Sequence, residues 1–337
     1  MGRWYLHRIR RLADLAALEQ ASVVLFVVAA LTVGCAASGS SARKAHATNQ
    51  PGQLGRSMYW AAGGKFIVYE GRGLWVMRAD GSHKRRLADG SSRPALSPRG
   101  RMLAQLTGTP EELGGRHLIF RTVGTRVGRP VRTFRLRLAP SDDFYSDPSW
   151  APDESAVAFR TRAGIFVADL RSGVRLIDRR ITDFGSAWSP DSRRIAVSSC
   201  PQQNRCKLMV MSREGTRRRR VVGTSSGISP FAWSPDGRRL AFSRPSGIYV
   251  VRPNGSGLRR VASKTASELA WSPDNKRLAY IGPDGISVLD VAGGRPRLIT
   301  TKKDQVGLAW APAKRILYSR RAIIYTVVPG SDPVGIK

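Results

Sequence analysis

Residues Ala232–Phe242 read Ala-Trp-Ser-Pro-Asp-Gly-Arg-Arg-Leu-Ala-Phe, and this stretch decides the fold. Two apolar stubs, Phe231–Ser234 and Leu240–Ser243, flank a Pro-Asp-Gly turn. Proline pre-sets φ for the turn, and glycine tolerates the left-handed position that follows. The chain then offers a short loop at Arg244–Gly247, an apolar run at Ile248–Arg252, a second turn at Pro253–Ser256, and a last short run at Leu258–Ala262. Every run is short and every connection carries Gly, Asn, Asp or Pro, so the unit reads as four strands.

The unit recurs. Close copies are Ala187–Val197 (AWSPDSRRIAV), Ala270–Tyr280 (AWSPDNKRLAY) and Ser149–Phe159 (SWAPDESAVAF). Weaker ones are Ala309–Tyr318 (AWAPAKRILY), Ala95–Ala104 (ALSPRGRMLA) and Tyr59–Val68 (YWAAGGKFIV). The marker positions Trp60, Leu96, Trp150, Trp188, Trp233, Trp271 and Trp310 are separated by 36, 54, 38, 45, 38 and 39 residues. A strand-coding period near 40 predicts an all-β chain, a β-propeller of four-stranded blades. The repeats predict seven blades, with six as the alternative. Closing the ring requires an outer strand for the last unit, from Pro333–Ile336 or from residues 52–57.

The recurring Trp60, Trp150, Trp188, Trp233, Trp271 and Trp310 are expected to pack between neighbouring blades. One buried indole removes about 150–250 Å² from water, or roughly 4–6 kcal/mol gross at ~25 cal/mol per Å². The repeated Asp153, Asp191, Asp236 and Asp274 read as turn residues bonding their own backbone, not as a catalytic carboxylate ring.

The chain has 56 Lys+Arg against 24 Asp+Glu, a formal net charge of +32, and only 10 of the basic residues are Lys. Such a surface attracts polyanions; an Arg-rich codon usage gives the same composition without a ligand. Four His and three Cys, with no C-x-x-C, exclude zinc fingers and argue against a multi-His metal site. No phosphate loop of the G-x-x-x-x-G-K-[ST] type occurs. No cofactor or metal is expected.

The N-terminus carries Arg3, Arg8, Arg10 and Arg11, then 14 uncharged residues from Ala21 to Gly34, then small polar residues. This is the pattern of a secretory signal. Extended through Ala37 the run reaches 17 residues, so an uncleaved anchor stays open as the alternative. Cys35, at the end of Leu-Thr-Val-Gly-Cys, resembles the acylated cysteine of a bacterial lipoprotein signal, although Thr32 stands where an aliphatic residue is preferred. The expected organisation is an export signal or anchor at 1–35, a flexible tether at 36–56 and the propeller at 57–337. Cys200 and Cys206 flank five residues between two strand-like runs, and export makes them a cross-hairpin disulfide.

The W-S-P-D-G-x-[RK]-[IL]-A-[FY] unit, followed by I-Y-V and by [DN]-G-S-x-x-R-x-[LV], closely resembles the TolB-like propeller repeat. The resemblance spans about residues 57–337, is strong in four units, and weakens where Leu96 and Arg99 replace Trp and Asp. It implies that the loops between second and third strands share one face. On that face Arg72, Arg160, Arg162, Arg205, Arg244, Arg320 and Arg321 form an expected basic crown, of which Arg72, Arg160, Arg162, Arg205, Arg244 and Arg320 are the candidate anionic-ligand residues. A second basic set, His83–Arg86, Arg217–Arg220, Arg259–Arg260 and Arg295–Arg297, lies on outer strands, where charge blocks edge-to-edge pairing.

These features predict a non-catalytic, extracytoplasmic, membrane-anchored scaffold of the bacterial cell envelope. It is expected to be a monomeric propeller binding an envelope protein or an anionic envelope polymer. Export argues against nucleic acid. The alternative is a propeller lyase or hydrolase acting on an acidic polymer. Related oligopeptidases need a G-x-S-x-G hydrolase domain, and related acidic-sugar lyases need several His around a metal; neither set is present in this sequence.

Overall fold

The structure, a computed structural model, describes residues 58–61, 65–71, 73–78, 81–88, 93–107, 116–124, 127–138, 148–179, 185–200, 205–225, 227–301, 305–310, 316–320 and 323–327. The expected export signal, Cys35 and the tether lie outside these residues, as does Arg72.

The described residues form antiparallel sheets taken in chain order. The first blade is β1 (Met58–Ala61), β2 (Phe66–Gly71), β3 (Gly73–Arg78) and β4 (Arg85–Ala88). The second is β5 (Arg93–Leu96), β6 (Met102–Thr107), β7 (Arg116–Val123) and β8 (Val127–Leu136). The third is β9 (Ser149–Trp150), β10 (Ala156–Thr161), β11 (Gly164–Asp169) and β12 (Gly173–Asp178). The fourth is β13 (Ser186–Trp188), β14 (Arg194–Ser199), β15 (Cys206–Ser212) and β16 (Arg219–Ser225). The fifth is β17 (Phe231–Trp233), β18 (Leu240–Arg244), β19 (Gly247–Val251) and β20 (Arg259–Ala262). The sixth is β21 (Glu268–Trp271), β22 (Arg277–Gly282), β23 (Gly285–Asp290) and β24 (Arg297–Thr300). A three-stranded sheet follows: β25 (Gln305–Trp310), β26 (Ile316–Arg320) and β27 (Ile323–Val327).

The four-stranded blades therefore number six, the alternative count, and seven complete blades are not found among the described residues. The last sheet stops at three strands because both stretches expected to supply its outer strand fall outside those residues. The weak unit at Ala95–Ala104 is a full member of the ring, and Leu96 fills the Trp position at 4% exposure. The innermost strand β25 packs beside β21 on one side and β1 on the other, so the two ends of the described chain meet.

The core lies between blades. Leu208 and Val210 of the fourth blade pack with Phe231, Trp233, Leu240 and Phe242 of the fifth. Leu106 and Phe120 of the second meet Trp150, Val157 and Phe159 of the third. Ile281 and Ile286 of the sixth meet Trp310, Ile316 and Tyr318 of the last sheet. Middle strands are covered on both faces, so they lose the alternation of a half-exposed strand: Gly247–Val251 is buried throughout. Outer strands keep one wet side, and Arg259 and Arg260 begin β20 exposed.

Candidate functional site

Each Trp-Ser-Pro-Asp turn is built by its own side chains. The Ser189 and Ser234 hydroxyls donate to Asp191 and Asp236, and the Arg193 and Arg238 amides donate to the same carboxylates at 3.1 and 3.0 Å. Burial pushes the Asp191 carboxyl up, but the Ser189 hydroxyl, the Arg193 amide and the Arg194 charge together hold it below the usual range. Asp274 is held low in the same way, against its burial, by Ser272, the Lys276 amide and Arg277. These carboxylates are occupied in shaping the turn.

The residue after the aspartate is left-handed. It is Glu154 (φ 63°), Ser192 (φ 61°), Gly237 (φ 68°) and Asn275 (φ 61°) in successive blades. Only glycine takes this conformation without cost, yet three blades place a polar side chain there. Its use is inter-blade: Glu154 Oε1 accepts from the Arg99 amide at 2.6 Å, Ser192 Oγ from Asp153 at 3.0 Å, and Asn275 Oδ1 from Asp236 at 3.0 Å. The donor belongs to the preceding blade each time.

The tryptophans complete that chain. Trp150, Trp188, Trp233 and Trp271 donate their indole N–H to Ala95, Ser149, Ala187 and Ala232 carbonyls of the preceding blade at 2.9–3.1 Å. Arg194, Arg239 and Arg277 of the preceding sheets cover Trp233, Trp271 and Trp310 with guanidinium-to-centroid distances of 5.0, 4.9 and 5.3 Å. Trp310 is buried, and Trp60 lies on β1 with its side chain outside the described residues.

Five of the crown arginines lie at or beside the connections between second and third strands. Arg162 and Arg205 are exposed, in the connections β10–β11 and β14–β15. Arg160 and Arg244 are strand residues, paired with Ile165 and Gly247, because two-residue turns let the strands run on. Both are half-buried. The Arg244 guanidinium lies 3.8 Å from the Tyr249 ring centroid, and the Ser246 hydroxyl first, then Arg244, hold the Tyr249 phenol below its ordinary range. Arg320 ends β26; its side chain, like Arg321, is outside the described residues. Cys200 and Cys206 form a disulfide beside Arg205. Among the described residues, no three His, Cys, Asp or Glu side chains are grouped to hold a metal ion.

Strand register shows what the sequence spacing hid. Arg85, Arg132, Arg175, Arg219, Arg259 and Arg297 sit opposite Val76, Phe120, Val167, Val210, Val250 and Val288. One structural position on the outer strand is thus arginine in all six four-stranded blades. Arg85 is half-buried and the other five are exposed.

The profile of the TolB beta propeller domain matches residues 135–328. The chain belongs to the TolB β-propeller family. Solved structures similar to this TolB-family propeller include an oligogalacturonate lyase in complex with manganese, at TM-score 0.63 and 14% identity over 80% of this chain and 87% of that one. The Cps50 (Swd1) β-propeller domain of Myceliophteria thermophila matches at TM-score 0.59 and 13% identity, over 83% of this chain and 99% of that one. A chain of the mitotic checkpoint complex matches at TM-score 0.59 and 15% identity, over 88% and 99%. At these identities the likeness concerns the fold alone.

Proposed function

We propose that this TolB-family chain is an exported, membrane-tethered, non-catalytic scaffold that holds an anionic component of the cell envelope. The observation that carries the reading is the sign of the outer surface. The six outer strands hold a single acidic residue, Asp178, which is buried and paired with Arg218 at 3.1 Å. The arginines around it are therefore left largely uncompensated, and a positive field of that kind attracts and retains polyanions. Export and tethering rest on the basic, apolar and small-residue sequence of residues 1–35, with Cys35 or an uncleaved anchor as the attachment. The scaffold is a seven-bladed ring in this reading, supported by β25 packing beside β1.

A pull-down from native envelope fractions with the detergent-solubilised full chain tests it. Retention of an anionic polymer at low salt, lost on salt elution, is the expected result. Retention of proteins alone through high salt contradicts it. The rival reading, a lyase or hydrolase of an acidic polymer, predicts shortened polymer after incubation; the scaffold predicts unchanged length.

A further inference from the structure

We propose that the rim of the propeller, at the register-matched arginines, is the binding surface for a flexible anionic glycopolymer carrying carboxylate or phosphodiester groups. The inference rests on the anionic-partner reading above and assigns its site. Register is the first argument. An edge-protecting charge needs only to lie somewhere on an outer strand, whereas these arginines occupy one structural position in all six four-stranded blades.

Second, the position is only partly used within the fold. Arg85 and Arg259 donate to the Gly124 and Val291 carbonyls of the next blade, which fixes them across the blade junction. Arg175 donates to the Ser172 hydroxyl at 3.3 Å, and Arg132 lies 5.1 Å from the Phe134 ring centroid. For Arg132, Arg175 and Arg259 these contacts are with neutral groups, so their charges stay available. Guanidinium groups present forked donors that match carboxylate and phosphate oxygens.

Third, the arrangement selects for length. Each register-matched arginine belongs to a different blade, so a small anion meets one of these six at a time. Only a ligand longer than one blade-to-blade step engages several, and weak exposed contacts then add through effective concentration. Flexibility follows from curvature. Duplex DNA has a persistence length of about 50 nm, too stiff to follow the rim of a domain whose gyration radius is roughly 2 nm. Single-stranded nucleic acid binds on aromatic platforms; among the described residues the exposed large apolar ones are Val131, Leu258 and Leu298, aliphatic neighbours of Arg132, Arg259 and Arg297. A glycopolymer meets both conditions.

The test measures binding of the detergent-solubilised full chain to length-defined polygalacturonate, to polyphosphate and to duplex DNA over a salt series. Wild type is compared with a rim triple, Arg132→Gln, Arg175→Gln and Arg219→Gln, in three adjacent blades. The control triple, Arg193→Gln, Arg238→Gln and Lys276→Gln, removes equal charge from the Pro-Asp turns. The rim triple is expected to weaken long-chain binding at least tenfold and to lower the log–log salt slope by roughly two, at ~0.7 per lost contact on a flexible polyanion. The control triple stays within twofold, and an Arg→Lys rim triple recovers part of the loss. Which polymer shows the larger effect tells carboxylate from phosphate. Thermal midpoints of all variants report folding, and single rim substitutions replace the triple if it unfolds. Equal weakening by both triples, with wild type binding well, overturns the rim and leaves the anionic-partner reading standing. Tightest binding to duplex DNA overturns the glycopolymer. No wild-type binding to any polyanion overturns both.

Discussion

The indole N–H of Trp233 donates to the carbonyl oxygen of Ala187 in the preceding blade at 3.0 Å. The same bond runs from Trp150, Trp188 and Trp271 to the blade before each. The tryptophan therefore does two jobs: its ring fills the inter-blade core, and its one polar atom donates to a buried carbonyl. Trp233→Phe keeps most of the ring and removes the second hydrogen bond of a carbonyl that stays paired in the β13–β14 ladder, at a cost of about 0.5–1.5 kcal/mol. Trp233→Ala adds a cavity and costs about 3–5 kcal/mol. Urea unfolding of the two variants measures both; a silent Trp233→Phe contradicts the role given to the N–H.

Gly237 is the member of the left-handed series that brings no side chain to its neighbour. A Cβ there meets Pro190 Cδ at 3.6 Å and Arg194 Nη2 at 3.8 Å, which is ordinary contact. Gly237→Asn places an amide where Asn275 has one, against the strain that any side chain adds at φ 68°. Asparagine tolerates φ near 68°. The new hydrogen bond, about 0.5–1.5 kcal/mol, is expected to offset that strain, leaving the unfolding free energy in urea within about 0.5 kcal/mol of wild type. Asn275→Ala loses both the Oδ1 acceptor and the tolerance of positive φ, and falls below Asn275→Gly in stability.

Much of the fold was legible in the sequence because a Trp-Ser-Pro-Asp turn needs few residues to specify it and recurs unaltered. The second blade was harder, since Leu96 does by size what tryptophan does elsewhere and β8 runs from Val127 to Leu136. The polar residues at the left-handed position were hidden for another reason. Glu154, Ser192 and Asn275 stand where the Ala232–Phe242 unit has glycine, and only the ring brings them to the preceding turn. The rim arginines were half visible. Arg85, Arg219, Arg259 and Arg297 fall in obvious basic runs, while Arg132 and Arg175 do not. Five blades shift register within β3, β11, β15, β19 or β23 before the arginine is reached, and the second blade shifts at Phe120/Arg121. Chain spacing alone therefore does not align them. At Arg160 and Arg244 only the loop bounds differ from expectation, since tight turns keep both residues inside strands.

Glu268 clasps the sixth blade to the last sheet. Its carboxylate oxygens accept from the Gly307 and Leu308 amides at 2.7 and 2.6 Å, where β25 shifts register and Gly307 takes φ 69°. Burial raises the Glu268 carboxyl, and the two amides only partly offset it. A folded pKa above the unfolded one means that this group's contribution is fully present below the unfolded value and is lost as pH rises through the folded one. Wild type is therefore expected to gain stability relative to Glu268→Gln as pH falls from 7 towards the unfolded value of about 4.3. A pH-independent difference between the two contradicts the assignment.

The Cys200–Cys206 bridge closes a short loop, with a sequence separation of 6. Chain entropy then gives ~2 kcal/mol. Cys200→Ser with Cys206→Ser is expected to lower the unfolding free energy measured in urea by that amount while leaving the blade intact, since Leu208 and Val210 hold β15 in the core. Complete loss of cooperative unfolding contradicts this.

The central claim is that uncompensated arginine on the outer strands holds an anionic envelope polymer. The most direct measurement is the salt dependence of equilibrium binding between the full wild-type chain and long-chain polygalacturonate or polyphosphate. The account predicts binding at low salt that weakens linearly on a log–log plot, with a slope of about two or more, as several contacts released together require. A slope near zero, or no binding at low ionic strength, contradicts it.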